Sequence, residues 1–249
     1  MQLLDFNDIA LPDRSVAYEI PATVAISRMD IAGARIGGYV LGARHETRKY
    51  VVNGLYLRDI NDSMSADRLI DKLRATMGAQ GVLRQKMRDG SIRRCNAWLT
   101  AMSPTHDNQG AATRAQPVAI EFESDGFWHE ETAQNRVLAN ATEAFCANAG
   151  NVACVEHFRI EITSAIVAPL TITNTRNNYA LTYDAAKVAG VVLVIDCGAG
   201  TVLSGGTNVY GNASRSDTQM ELMRLEAGWN RLAFNQAVTG VVSYRYAWI

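Results

Sequence analysis

Four histidines, four cysteines and one acidic alternation are the residues of this 249-residue chain whose types and spacing could do chemistry. Two histidines each precede a glutamate, His45-Glu46 and His129-Glu130. A zinc-protease helix opens this way, but H-E-x-x-H needs a second imidazole one turn later so that both nitrogens meet the metal from one helix face. Lys49 and Ala133 stand at those positions. His106 falls in a polar stretch and His157 beside Phe158 in an alternating one, so all four read as ordinary surface or hydrogen-bonded histidines. Cys95, Cys146, Cys154 and Cys197 are scattered without C-x-x-C spacing. They read as buried or half-buried thiols rather than metal or cluster ligands. Glu121, Glu123 and Asp125 share one face of an alternating segment and read as solvating it, since paired carboxylates alone are a weak glycosidase signal. Gly198-Ala199-Gly200 starts like a dinucleotide loop, lacks the third glycine and leads into a strand, which is the pattern of a hairpin turn. There is no G-x-S-x-G elbow. The expectation is a protein that is not an enzyme, with no catalytic residue, no cofactor and no metal site.

Charge concentrates in one place. Between residues 68 and 94, eight basic residues (Arg68, Lys72, Arg74, Arg84, Lys86, Arg88, Arg93 and Arg94) stand against Asp71 and Asp89, an excess of six. Such a patch suits phosphates or an acidic protein neighbour, or is simply a solvated face. No aromatic residues interleave with it in the manner of a single-strand groove. The whole chain carries a formal net charge of -1, so its overall field does not steer it to nucleic acid. A hydrophobic fraction of 48% with 20% charged residues excludes wholesale disorder. The first residues lack the basic start of a signal peptide, and no apolar run approaches the roughly 20 residues of a membrane span. Synthesis in a reducing cytoplasm, without disulfides, is expected.

The elements that would position these residues are mostly strands. Thr23–Ser27, Tyr39–Leu41 and Lys49–Val52 alternate or are β-rich, and Asn53-Gly54 reads as a hairpin turn before Leu55–Leu57. The period changes once. Leu69, Leu73 and Met77, with Ile70 beside them, form the apolar stripe of a helix over 65–77, with Ser65 as N-cap, Asp67 in the first turn and Gly78 as stop. Val82–Lys86, the Asp89-Gly90 turn and Ile92–Met102 form a hairpin, followed by a polar loop at 103–116 and a strand from Pro117. Ser124-Asp125-Gly126 marks a seam, placed between 124 and 155, beyond which residues 140–150 are small and polar. Short strands follow at 158–162, 170–173, 179–183 and 191–195, with a spacing typical of sandwiches. The chain closes with the segments 226–234 and 241–249, read as two strands with a turn between them, the last running to the final residue. Its aromatics Tyr244, Tyr246 and Trp248 must be tied into a sheet. This gives a mainly β chain: residues 1–130 form an N-terminal β-sandwich with one helix, and 131–249 a C-terminal β-sandwich.

The order of these features resembles the distal tail protein (Dit) family of long-tailed (siphovirus) bacteriophages. The N-terminal part matches through its strands, the helix 65–77, the Asp89-Gly90 turn and the long strand holding Trp98. The C-terminal part matches through Leu170–Asn174, the hairpin Val194–Val202, Gly206–Gly211, the Gly228-x-Asn230-x-x-x-Phe234 pattern and the terminal Tyr-Arg-Tyr-Ala-Trp-Ile. The family often has proline where this chain has Ala227. The resemblance implies an N-terminal, tail-tube-like domain that closes into a homo-hexameric ring, and a C-terminal galectin-like or carbohydrate-module-like sandwich. It implies residence at the virion tail tip, and the tail tube protein, the tail-associated hub protein and the tape-measure protein as partners. DNA would pass the bore without specific binding. A different reading is a carbohydrate-binding module that contacts a host glycan through Tyr179, Tyr183 or Trp229, although strand positions favour Trp229 and Trp248 as core.

Overall fold

The computed structural model describes residues 2–11, 18–20, 24–30, 38–45, 48–58, 70–104, 115–124, 127–215 and 221–248. Ser65, Asp67, Leu69, Arg68, His106, residues 105–114 of the polar loop and Asp125-Gly126 lie outside them. The chain is mainly β and divides into two compact units, residues 1–128 and 129–249.

Unit 1 holds β1 (Gln2–Phe6), β2 (Ile9–Ala10), β3 (Tyr18–Ile20), β4 (Val24–Asp30), β5 (Gly38–His45), β6 (Arg48–Arg58), β7 (Gln80–Lys86), β8 (Ile92–Pro104) and β9 (Ala115–Ser124). One antiparallel sheet runs β2-β1-β7-β8-β9-β6-β3, and β4 pairs with β5 separately. Asn53-Gly54 does not turn the chain. Val52 pairs with Ile120 and Leu55 with Val118, so three steps on β6 match two on β9, and the extra residue is taken up as a bulge inside one strand.

The expected helix is present over its described part, residues 70–75 (α1), which buries Ile70 and Leu73. Met77 departs from the expected stripe and is exposed. The reason is local. The Thr76 amide donates to the Leu73 carbonyl and the Met77 amide to that of Arg74, and the Thr76 hydroxyl also donates to Leu73. These three-residue bonds tighten the last turn and rotate Met77 off the core side. The Gly78 amide then leaves the helix for the carbonyl of Leu99. The Asp89-Gly90 turn forms as expected: the Asp89 carboxylate accepts from the Ser91 amide at 2.9 Å and its hydroxyl at 2.7 Å, which pulls its carboxyl below the usual range.

Next in the chain comes β10 (Trp128–Glu130). Unit 2 follows with β11 (Gln134–Asn148), β12 (Arg159–Ile162), β13 (Leu170–Asn174), β14 (Tyr179–Tyr183), β15 (Leu193–Asp196), β16 (Thr201–Ser204), β17 (Thr207–Asn208), β18 (Ala213–Arg215), β19 (Gly228–Tyr244) and β20 (Ala247–Trp248). Its antiparallel sheet runs β17-β16-β15-β12-β19-β13-β14-β18. β19 organises it: β13 pairs with residues 232–234, β12 with 240–243, and β11 with most of the strand's length. A single hydrophobic cluster joins both branches, with Ile160, Ile162, Ile172, Leu181, Leu193 and Ile195 meeting Leu232, Phe234, Val238 and Val242. All four cysteines of the chain are buried free thiols.

The two closing strands of the sequence reading are one. Asn235, Gln236 and Gly240 look like a turn, yet β19 continues through them and ends at Tyr244, and a separate β20 follows. Side-chain amides replace ladder partners there. Asn235 accepts from the Thr171 amide and donates to the Pro169 carbonyl, each at 2.9 Å, while Gln236 does the same for Val167 at 3.0 and 2.6 Å. The segment read only as small and polar is β11, whose Leu138, Ala144 and Cys146 face the core.

Candidate functional surfaces

In unit 1 the basic window forms on the β7–β8 hairpin and α1. Leu83 opposes Cys95 and Gly81 opposes Ala97 on the buried face, which sends the alternate positions outward. Arg84 and Arg94 therefore stand directly opposite each other, an arrangement that repels unless compensated. Compensation comes from outside the window: Asp5 on β1 holds the Arg84 guanidinium at 2.8 Å and Asp8 at 2.6 Å. The patch is thus smaller than its sequence count. Lys72, Arg74, Lys86 and Arg88 are its exposed charges. Glu121 is bound to Lys49 at 3.1 Å and solvates the sheet, as expected of it, while Asp125 lies outside the described residues.

In unit 2 the turn before β19 explains the Gly228-x-Asn230 pattern. Asn230 is buried and saturates its amide: its Oδ1 accepts from the Glu226 amide (2.8 Å) and from Asn174 Nδ2 (3.0 Å), and its Nδ2 donates to the carbonyls of Glu226 (2.7 Å) and Gly228 (3.0 Å). Closing that loop puts Gly228 at φ +90°, a backbone that side chains resist. Around it, the Glu226 carboxylate accepts from Arg224 Nε at 2.7 Å and Asn177 Nδ2 at 3.1 Å. Burial alone would raise the Glu226 carboxyl, but these two donors outweigh it and hold the group below its usual value. Nothing in this knot offers a nucleophile; it builds a turn.

The turn presents Trp229, and here the core expectation fails: Trp229 is 67% exposed. Ala147 opposes Trp229 and Phe145 opposes Arg231, so Phe145 (53% exposed), Trp229 and Arg231 share one face of β11–β19. Arg231 is held by Glu143 on that face at 2.7 Å, and Arg176 Nη1 donates to the Trp229 carbonyl at 3.1 Å. The result is an outward aromatic pair bordered by an ion pair. Of the other ring candidates, Tyr183 is buried and Tyr179 lies under the Arg224 guanidinium, 4.8 Å from the ring centre. Trp248 is half-buried.

Two of the four histidines meet. His129 on β10 is buried, and its Nε2 lies 3.0 Å from the Glu156 carboxylate. The His157 ring meets it edge-on at 4.5 Å. A separation of 27 positions between His129 and Glu156 hides this grouping from any spacing argument. His45 lies on β5.

No protein-family model matches the sequence, and no curated protein sequence does either. Solved structures do match. The Dit protein of phage SPP1, described as a paradigm of the hub adsorption apparatus of phages infecting Gram-positive bacteria, superposes with a TM-score of 0.65 at 12% identity, over 92% of this chain and 90% of that one. Chains of the phage p2 baseplate in its activated conformation, with Sr and with Ca, give TM-scores of 0.44 and 0.42 at 8% and 7% identity, over 98% and 99% of this chain and 89% and 90% of theirs. Those two scores are too low to build on. The first carries the conclusion, which the β order and the Asn230 turn had prepared: this chain has the fold of a phage Dit hub protein.

Proposed function

We propose that the protein is a structural component of a bacteriophage tail tip: a distal tail ring of six copies that joins the tail tube to the baseplate hub and the receptor-binding apparatus. The carrying observation is the likeness to SPP1 Dit across both units, 92% of this chain against 90% of that one, rather than across a single module. In this reading residues 1–130 form the ring, residues 131–249 form a galectin-like appended sandwich, and the bore passes the tape-measure protein and DNA. Lys72, Arg74, Lys86 and Arg88, exposed on α1 and the hairpin, suit contact with acidic groups of the neighbouring subunit or tail partner. Ring contacts of this kind are head-to-tail and close only at one rotation. The test is native mass measurement and two-dimensional image averaging of the purified protein. Six-fold rings are expected, with K86E/R88E shifting the population toward smaller species; a strict monomer at high concentration, with no ring in virions, would sink the reading.

One observation favours a second reading, carbohydrate binding by unit 2. Trp229 and Phe145 offer aromatic faces beside the polar edge of Arg231 and Glu143, the mix on which sugar rings stack. Glycan-array screening of the full chain and of W229A decides it: signal lost in the variant supports the reading, and silence of the parent removes it.

A further inference from the structure

We propose that His129, Glu156 and His157 form a binding site for a zinc-class divalent cation within unit 2. One ligand atom from each of the three lies within 4.8 Å of the others. One pair, His129 Nε2 and Glu156 Oε2 at 3.0 Å, already stands near the separation of two ligands on a tetrahedral ion, about 3.3 Å for bonds of about 2.0–2.1 Å. Two imidazoles and one carboxylate suit zinc and its neighbours, whereas calcium and magnesium take oxygen donors. Three protein ligands leave one coordination position for water.

The ligands are held rather than merely adjacent. The Glu130 amide, next to His129, donates to the Tyr246 carbonyl at 3.0 Å, and Arg245 donates to the carbonyls of Glu130 and Glu131. The Glu156-His157 turn is closed by Phe158 N donating to Val155 O at 3.0 Å and anchored by Cys197 N on Phe158 O at 2.9 Å. Gly198 packs against it so closely that a Cβ there would fall 2.1 Å from the Glu156 carbonyl oxygen. His129 Nδ1 is buried with no hydrogen-bond partner, which leaves Nε2, the nitrogen facing Glu156, as the one placed to share an ion with the carboxylate.

The experiment uses the full-length chain stripped with a chelator and titrated with Zn²⁺ alone against a chromogenic competitor, with metal content read by atomic emission. One zinc per chain is expected, together with a raised Tm. E156Q and H157Q alter partly exposed side chains and keep the fold, as their metal-free melting will show. Each should weaken binding by more than the roughly 10–100-fold that loss of an outer-shell partner costs. Co²⁺ should give visible ligand-field bands without thiolate charge transfer. Absence of stoichiometric uptake, uptake unchanged in the E156Q/H157Q double variant, or a thiolate band would each overturn the assignment.

Discussion

Trp128 and Trp229 occupy opposite situations in their own units. Trp128 is 3% exposed, packs edge-on to Tyr50 at 5.5 Å and donates its indole N–H to the Tyr50 hydroxyl at 2.7 Å. Trp229 is 67% exposed and is held in place through its backbone, by the carbonyl bond from Arg176 and the Asn230 turn around it. The same residue type is thus core in one place and surface in the other. What separates them is whether the indole N–H and ring find partners or whether the surrounding turn orders the backbone without them. An exposed indole kept in one place by a buried polar knot is a surface feature with a structural cost elsewhere, which is the pattern expected of a contact residue.

The comparison breaks most severely at Trp128. Trp128→Ala removes a buried ring and its hydrogen bond to the Tyr50 hydroxyl, and should cost unit 1 about 3–5 kcal/mol. Calorimetry should show an early transition for that unit. Trp128→Phe keeps the ring volume in part and isolates the hydrogen bond, at about 1 kcal/mol from that bond plus any packing loss. Equal melting of W128A and the parent would mean that the Trp128 pocket is not core.

Asn230 comes next. Asn230→Ala leaves the Glu226 amide and the carbonyls of Glu226 and Gly228 without their side-chain partner, and should destabilise unit 2 by about 2–3 kcal/mol. It should also loosen Trp229, read as a red shift and lower anisotropy of indole emission in a background where Trp229 is followed alone. A stability loss without any change at Trp229 would uncouple the knot from the residue it presents.

These two sites also show what was legible in the sequence. The Asp89-Gly90 hairpin and the Ile70/Leu73 face of the helix were readable because their signals are local: a turn dipeptide between alternating runs, and a period of about 3.6. Other features depend on partners far along the chain. β11 carries Ala and Asn where strands usually carry branched residues, and it is a strand because β19 pairs with it from Gln134–Tyr244 to Asn148–Gly228. β19 passes through Asn235 and Gln236 because their amides bond the 167–171 segment, which no window around residue 235 contains. Exposure of Trp229 is illegible in the sequence for the same reason, since an alternating strand position does not say which face the sheet covers. Arg84 lost its excess charge to Asp5 and Asp8, 79 and 76 residues away.

An intermediate case sharpens the contrast between buried and exposed rings: buried His129 bonds a Glu156 side chain that keeps 42% of its exposure. The bond from His129 holds the Glu156 carboxyl below its ordinary value, against a smaller opposing effect of burial. A lowered folded-state value means that the pair stabilises the protein above the usual carboxylate range and loses that contribution as pH falls through the folded value. Because the carboxylate is partly solvated, the amount is under about 1 kcal/mol. In metal-free protein, melting temperatures followed downward from pH 6 should fall less steeply for E156Q than for the parent. Identical slopes would show that the pair contributes nothing to folding.

Trp229→Ala should have the smallest effect on stability, within about 0.5 kcal/mol, because a side chain that is two-thirds exposed loses little burial and the knot bonds only its backbone. The substitution is therefore clean: Asn230, Arg176 and Glu226 keep their partners, and the fold should melt with the parent. Any loss it causes in glycan binding or in assembly with tail partners then belongs to the indole face itself. Phe145→Ala, on the same face of β11, should reproduce that loss in weaker form, since the two rings border one surface. A drop of several degrees in Tm for W229A would instead place the ring in contact with structure, and the difference between the two tryptophans would shrink to one of degree.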